Sequence, residues 1–414
     1  MKAETGKAVQ RQFDEEESLE KEDFSKGKKA ISQDLESPKR KDTNAAKVLS
    51  INMFLRPVVK TNDSDYKYER LQELLGVIHN FDIMCFQEVF SGFNSHKPIL
   101  LTISKKFGFD HYFHSSKPGY FEKYLTDGGL VNLSKYPIIE SHEETFVKSI
   151  GDCSIAKKGI LFTKIEMNGN YLYLFNTHLQ ANYYTSFALY KKCIDTKMYQ
   201  LKQLSEYIEE KTKNMRAQDK ILLVGDFNIS NRRFNSYLKK QFESYAKNDP
   251  GFNIFFEEGF DCLYEAEIMM KILSLDGLFN VTDLKSTLGD EEGAPATFAG
   301  TLTLDDGSKA PVDTALMGKI DVMTEQSLDY IFALDRNDMK KDASEDFKAV
   351  DNHLQSDIRN NEHAHDLDSQ RLLTKEKGFY IRENTIAVEK FILEGKKYGT
   401  ISDHFGLSVE INNS

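Results

Sequence analysis

Three short runs in this chain are apolar almost from end to end: KVLSINMFL at Lys47–Leu55, FDIMCFQ at Phe81–Gln87 and KILLVG at Lys220–Gly225. Runs of this kind read as buried strands, and a buried strand demands other elements packed on it. Between the first two, Tyr66–His79 places Leu71, Leu74, Leu75 and Ile78 on one helical face, which gives a strand–helix–strand unit. Further strands are predicted at Gly129–Asn132, Ile160–Met167, Tyr171–Thr177, Leu328–Ala333 and Leu407–Ile411, with a long helix over Ser186–Lys211. Asn168–Gly169–Asn170 supplies a hairpin turn between two of these strands. Strands that first alternate with helices and then arrive in hairpins point to an α/β architecture: two sheets face to face, with helices outside.

Composition narrows the function. The 414 residues carry 54 Lys and Arg against 65 Asp and Glu, a net charge of −11. Residues 1–46 hold 10 basic and 11 acidic side chains and no apolar stripe, so they read as a disordered polar tail. The acidity therefore belongs to the folded part, 47–414. A generally basic surface for gripping nucleic acid is excluded, and a nucleic-acid partner is not expected. Cys85, Cys153, Cys193 and Cys262 are scattered, so free thiols in a reducing compartment are expected rather than a disulfide or zinc framework. No run approaches the ~18 apolar residues of a membrane span. The first residues lack the apolar core of a signal peptide, and a cytoplasmic location is expected. Two polar insertions, near 283–325 and 335–377, read as surface loops; the His363–Ala364–His365–Asp366 motif in the second is read as loop rather than metal site. Oligomeric state has no signature in the sequence.

The polar residues at the ends of the apolar runs carry the chemistry. Asn52 closes SIN, Glu88 follows CFQ, His178 ends FNTH, Asp226 and Asn228 lie in GDFN, Asp329 in LDYIF, and Asp403 and His404 in SDH. Strand C-terminal ends at one sheet edge are a natural place to assemble a site. Carboxylate and amide oxygens suit a hard cation such as Mg²⁺, and imidazoles suit proton transfer, a combination fitted to displacement at phosphorus. Each residue alone has a plainer reading as a turn former, cap or core histidine. Their joint occurrence at strand ends makes that reading weak.

This ordered series resembles the endonuclease/exonuclease/phosphatase superfamily over almost the whole length from Lys47 to Ile411. The resemblance implies a four-layer αββα sandwich of two mixed β-sheets, DNase I-like. It also implies Mg²⁺ (with Mn²⁺ as a substitute) held by Asn52 and Glu88, with Asp403 close by. Asp226 and Asn228 would grip the phosphate or a second metal position. Asp329 would orient His404 as general base, and His178 would stabilise charge on the phosphoryl oxygens. NTHLQA at Asn176–Ala181, GGLVNLSKYPI at Gly128–Ile138, KGIL at Lys158–Leu161, Gln200 and ATF at Ala296–Phe298 resemble the neutral sphingomyelinases in particular. Lys197 stands where that family leads one to expect Arg. The implied activity is phospholipase C-type hydrolysis of sphingomyelin, or a related phosphosphingolipid, to ceramide and phosphocholine. A nuclease of the same superfamily and a catalytically silent scaffold are the alternatives. Inositol polyphosphate 5-phosphatases fit less well, since the chain has no Trp and no PAWCDR segment.

A lipid substrate implies peripheral contact with a membrane surface. Phe252–Tyr264 and Tyr183–Tyr190 concentrate aromatic residues that could insert there, although aromatics on helices are more often core.

Overall fold

A computed structural model describes residues 44–56, 65–92, 96–337 and 378–413. Residues 1–43 and 338–377 lie outside the described residues, and with them most of the expected tail, most of the second insertion and the His363–Asp366 motif. The strands in chain order are β1 (Ala45–Leu55), β2 (Ile83–Val89), β3 (His111–His114), β4 (Val131–Ser134), β5 (Ile138–Thr145), β6 (Gly159–Met167), β7 (Asn170–His178), β8 (Lys220–Asp226), β9 (Phe279–Asp283), β10 (Thr301–Thr303), β11 (Lys309–Pro311), β12 (Asp329–Arg336), β13 (Phe379–Glu389) and β14 (Gly406–Asn413). The α-helices are α1 (Lys67–Val77), α2 (Lys97–Ser104), α3 (Phe187–Thr212), α4 (Ser236–Asn248) and α5 (Tyr264–Leu273).

Two six-stranded mixed sheets face each other, in the orders β13-β14-β1-β2-β4-β3 and β5-β6-β7-β8-β12-β9. Alternation along the strands explains why both faces of each sheet are apolar. From β1, Ala46 and Val48 point into the inter-sheet core with Leu174, Leu222, Val224 and Ile331. Leu49, Ile51 and Met53 point the other way, onto Leu71, Leu74 and Leu75 of α1 and Leu100 and Ile103 of α2. The second sheet does the same, covering Phe162, Phe175, Ile221 and Leu223 with Leu201, Leu204 and Ile208 of α3 and Met269 and Leu273 of α5. The result is the four-layer αββα sandwich. The hairpin between β6 and β7 turns on Asn168 and Gly169, both with positive φ (49° and 81°), the conformation a two-residue turn of this type requires.

Two expectations are adjusted. First, β12 and β14 run antiparallel to their neighbours, so Asp329 stands at the start of its strand and Asp403–His404 just before theirs. An antiparallel strand enters at the edge where its neighbour leaves, so both kinds of strand end reach one rim. Second, the stretch near 283–325 is not surface loop throughout: Leu284, Lys285 and Thr297 are fully buried. The two aromatic clusters follow their plainer reading and are largely one satellite core, with Phe256 and Tyr264 left exposed. Phe252 is buried, and Tyr184, Tyr190, Phe242 and Phe255 pack with it, with Phe242 and Phe255 ring centroids 4.2 Å apart.

Between the sheets, beneath the rim, runs a buried polar ladder. Gln87 Nε2 donates to Asn176 Oδ1 (2.8 Å) and Ser50 Oγ (3.2 Å). Asn176 Nδ2 donates to Asn132 Oδ1 (2.8 Å), and Asn132 Nδ2 to Thr163 Oγ1 (3.2 Å). Such a ladder fixes how one sheet sits on the other, because a shift of either would leave amides without partners.

Candidate active site

Two parallel strand pairs begin the site. β1 and β2 deliver Asn52 and Glu88 at their C-terminal ends; β7 and β8 deliver His178 and Asp226, which are register partners. Asp329 pairs with Asp226 from the other side. Glu88 (φ 57°) and Asn228 (φ 52°) both take left-handed backbone conformations just where their strands end. Such conformations are costly for non-glycine residues and concentrate at functional sites. Gly225 lets β8 approach β7 closely: a Cβ there would lie 2.0 Å from Thr177 O.

All eight residues singled out from the sequence meet at this rim. His404 Nδ1 lies 2.8 Å from Asp329 Oδ2, so that ring nitrogen carries the proton and Nε2 faces inward, 3.8 Å from Asp226 Oδ2. Asp226 is held by Asn52 Nδ2 (3.0 Å) and by the main-chain N of Asn228 (2.9 Å). His178 Nε2 lies 3.5 Å from Asp226 and 4.0 Å from Glu88. Asn228 donates its side-chain amide to Leu179 O, and Asn52 Oδ1 accepts from Phe54 N. Phe298 packs on the His404 ring at 5.0 Å, and Thr297 Oγ1 accepts from the main chain of Leu328 and Asp329, so the ATF segment braces the dyad.

Burial sets the charges. Desolvation alone would lower the His404 pKa; the Asp329 and Asp226 carboxylates outweigh it and hold the imidazole well above its ordinary range. Burial raises Asp226 to about 6, and it raises Asp403 as well. His178 goes the other way: burial, then the neighbouring ammonium of Lys158, keeps it well below the ordinary range and neutral.

Lys158, buried, places Nζ 3.0 Å from His178 Nε2 and 3.0 Å from Leu179 O. Its sequence surroundings, two lysines before a strand, gave no sign that one of them turns inward. Arg56 Nε lies 3.3 Å from Glu88 Oε2. Lys197 is fully buried and donates to Asn228 O (2.9 Å) and Glu265 Oε2 (2.6 Å), supporting the GDFN turn from α3. Gln200 accepts from Gln180 N (2.9 Å) and ties α3 to the segment after His178.

Asp226, Asp329 and His404 offer ligand atoms that all lie within 4.8 Å of one another. Because Asp329 and His404 already bind each other, the side of the rim formed by Glu88 and Asp403 fits a cation better. Glu88 Oε2 is buried and faces the Arg56 guanidinium, and the Glu88 charge helps raise Asp403. Two carboxylates set side by side at a buried rim suit a hard divalent ion.

No family model matches the chain. It is 26% identical over 375 residues to a sphingomyelinase of Dictyostelium discoideum, covering 84% of this chain and 74% of that protein. A phospholipase C of Staphylococcus aureus is 28% identical over 200 residues, 46% of this chain and 59% of that protein. A sphingomyelinase C of Bacillus cereus is 26% identical over 200 residues, 45% and 58% respectively. The chain thus spans under two thirds of these bacterial relatives. In fold it is similar to beta toxin from Staphylococcus aureus, with a TM-score of 0.52 at 20% identity over 88% of this chain and 99% of that one. Sphingomyelinase C from Streptomyces griseocarneus gives a TM-score of 0.50 at 16% identity over 89% and 99%.

The two-sheet sandwich with carboxylates and imidazoles gathered at one rim has the DNase I-like fold. In sequence the chain is similar to sphingomyelinases and phospholipases C, and in fold to bacterial sphingomyelinases.

Proposed function

We propose that the chain hydrolyses sphingomyelin, or a related phosphosphingolipid, to ceramide and phosphocholine, with water attacking phosphorus. The observation that carries this reading is the Asp329–His404 pair aimed at a rim that also holds Glu88, Asp403 and Asp226. The likeness to the Dictyostelium sphingomyelinase over most of the chain supports the choice of lipid.

In this reading Glu88 and Asn52, with Asp403 beside them, hold Mg²⁺, and Mn²⁺ can replace it. When bound, the ion neutralises the phosphate and the departing alkoxide. His404 Nε2 takes the proton of the attacking water while Asp329 fixes the tautomer. The water oxygen bonds to phosphorus, the bond from phosphorus to the ceramide oxygen breaks, and the alkoxide leaves with a proton. Lys158 carries the positive charge that a neutral His178 lacks, so the two together meet charge on the phosphoryl oxygens. Asn228 shapes the turn that presents Asp226.

No described helix is long and apolar enough to cross a membrane. All four cysteines are free, which supports placement in a reducing compartment such as the cytoplasm. The discriminating assay compares Mg²⁺-dependent release of phosphocholine from sphingomyelin with nicking of plasmid DNA. Release without nicking is expected. Nicking without release would favour the nuclease, and neither would favour a scaffold.

A further inference from the structure

Tyr120, Phe121 and Leu125 are 96%, 97% and 80% exposed, the most exposed of the large apolar side chains described. They sit at the tip of the connection between β3 and β4, where Glu122 N closes a turn on Gly119 O (2.9 Å). The two rings touch edge to face, with centroids 5.2 Å apart. Val147 and Ile155, also exposed, come from the segments that flank the start of β6.

The base of this tip is pinned firmly. Leu125 N donates to Ile155 O (2.7 Å), and Lys157 N to Thr126 O (3.0 Å). Thr126 Oγ1 donates to Ser91 O (2.7 Å). The buried Asp127 carboxylate accepts from Ser91 N, Ser91 Oγ, Gly129 N and Lys97. These anchors lead directly to the rim. Ser91 lies three residues beyond Glu88, and Lys157 adjoins Lys158, which contacts His178. The tip is therefore an apolar projection whose base is hydrogen-bonded to segments that continue along the chain into the rim.

The geometry points to a lipid bilayer surface as its occupant: we infer that Tyr120, Phe121 and Leu125 insert at the headgroup level and set the rim against the membrane. This rests on the lipid-substrate reading above. Two features favour a bilayer over a protein partner. The apolar groups protrude instead of lining a groove, and Tyr and Phe are the residue types that settle at membrane interfaces. Charge agrees. In a chain of net −11, the tip carries Lys117 and Lys123, with Lys157 beside it, against Glu122, which Lys157 neutralises at 3.3 Å. Glu143, at the base, is taken up by Ser116 N (3.0 Å) and Ser116 Oγ (2.5 Å).

The test uses the full chain with phosphatidylcholine–sphingomyelin vesicles. Tyr120→Ser combined with Phe121→Ser should lower vesicle partition in flotation by roughly tenfold or more, given the apolar area two rings can bury. Turnover on vesicles should fall in parallel, while turnover of a water-soluble, short-acyl sphingomyelin analogue stays at the wild-type level. Because the chain has no Trp, Phe121→Trp places a lone tryptophan at the tip, and its emission, excited at the red edge where tyrosine does not absorb, should shift blue on adding vesicles. Unchanged partition in the double variant, or an unmoved emission, overturns the proposal. So does a wild type that self-associates through the tip while the double variant stays monomeric. A blue shift in a chain that hydrolyses neither substrate would sink the lipase reading and leave the docking surface standing.

Discussion

Asp329 Oδ2 sits 2.8 Å from His404 Nδ1, joining a residue at the start of β12 to one just before β14 across the gap between the two sheets. The pair depends on how the sheets sit on each other, so the site is a product of sheet packing rather than of any one motif.

The charge of Asp329 has a consequence for pH. It helps hold the His404 imidazole above its ordinary range, and a general base must lose its proton before it can act. Activity should therefore rise with pH through that raised value. Asp329→Asn removes the charge, so the rise should move to lower pH, while kcat falls by about 10²- to 10⁴-fold with loss of the positioned base. Rate profiles at saturating Mg²⁺ check this; a rise at the same pH in both proteins would contradict it.

Lys285 predicts a pH dependence of stability. Its ammonium is fully buried, donates to Asp329 O (2.6 Å) and Ser327 Oγ (2.7 Å), and lies 3.3 Å from the Tyr330 ring centroid. Burial lowers its pKa from 10.5 to about 8. Between those values the unfolded chain binds the proton more tightly, so this group adds stability as pH rises from about 8 to 10.5. At about 1.4 kcal/mol per unit the gain is on the order of 3 kcal/mol. Lys285→Met should be less stable overall, and its stability should climb less with pH. Urea unfolding at several pH values measures both; equal slopes would refute the assignment.

Arg70, inside α1 and fully buried, clamps the site from behind. It donates to Met53 O (2.8 Å), Phe54 O (2.9 Å) and Ile401 O (2.8 Å), tying the segment after Asn52 to the one before Asp403. Arg70→Met should cost about 3 kcal/mol or more by leaving several buried carbonyls unpaired. Arg70→Lys should fold better yet bind Mg²⁺ more weakly, because one ammonium cannot reach all three acceptors in fork geometry. Thermal melts and metal titrations read the two effects separately.

How much of this was legible in the sequence follows from burial. The strands β1, β2, β6, β7, β8, β12 and β14 were readable because central strands are apolar on both faces. Edge strands β5 (IIESHEET) and β13 (FYIRENTIAVE) were not, since their half-exposed faces carry charges that mask the alternation. Asn52, Glu88, His178, Asp226, Asp329 and Asp403–His404 stood out as polar groups ending apolar runs. Lys158, Arg70 and Lys285 did not. A cation in a sequence reads as solvated by default, and only three-dimensional neighbours reveal that Arg70 serves carbonyls from two distant segments. The aromatic clusters follow their plainer reading as core for the most part, while composition alone could not single out Tyr120 and Phe121, the most exposed rings among the described residues.

The central claim is that Glu88 and His404 serve one metal-assisted hydrolysis of a phosphosphingolipid. Its most direct measurement is phosphocholine release from sphingomyelin with and without Mg²⁺, by the wild type, Glu88→Ala and His404→Ala. The account predicts release by the wild type only, dependent on Mg²⁺, with weakened Mg²⁺ binding in Glu88→Ala and unfolding transitions close to wild type in both variants. Substantial release by either folded variant, or release by the wild type that persists in a chelator, would contradict it.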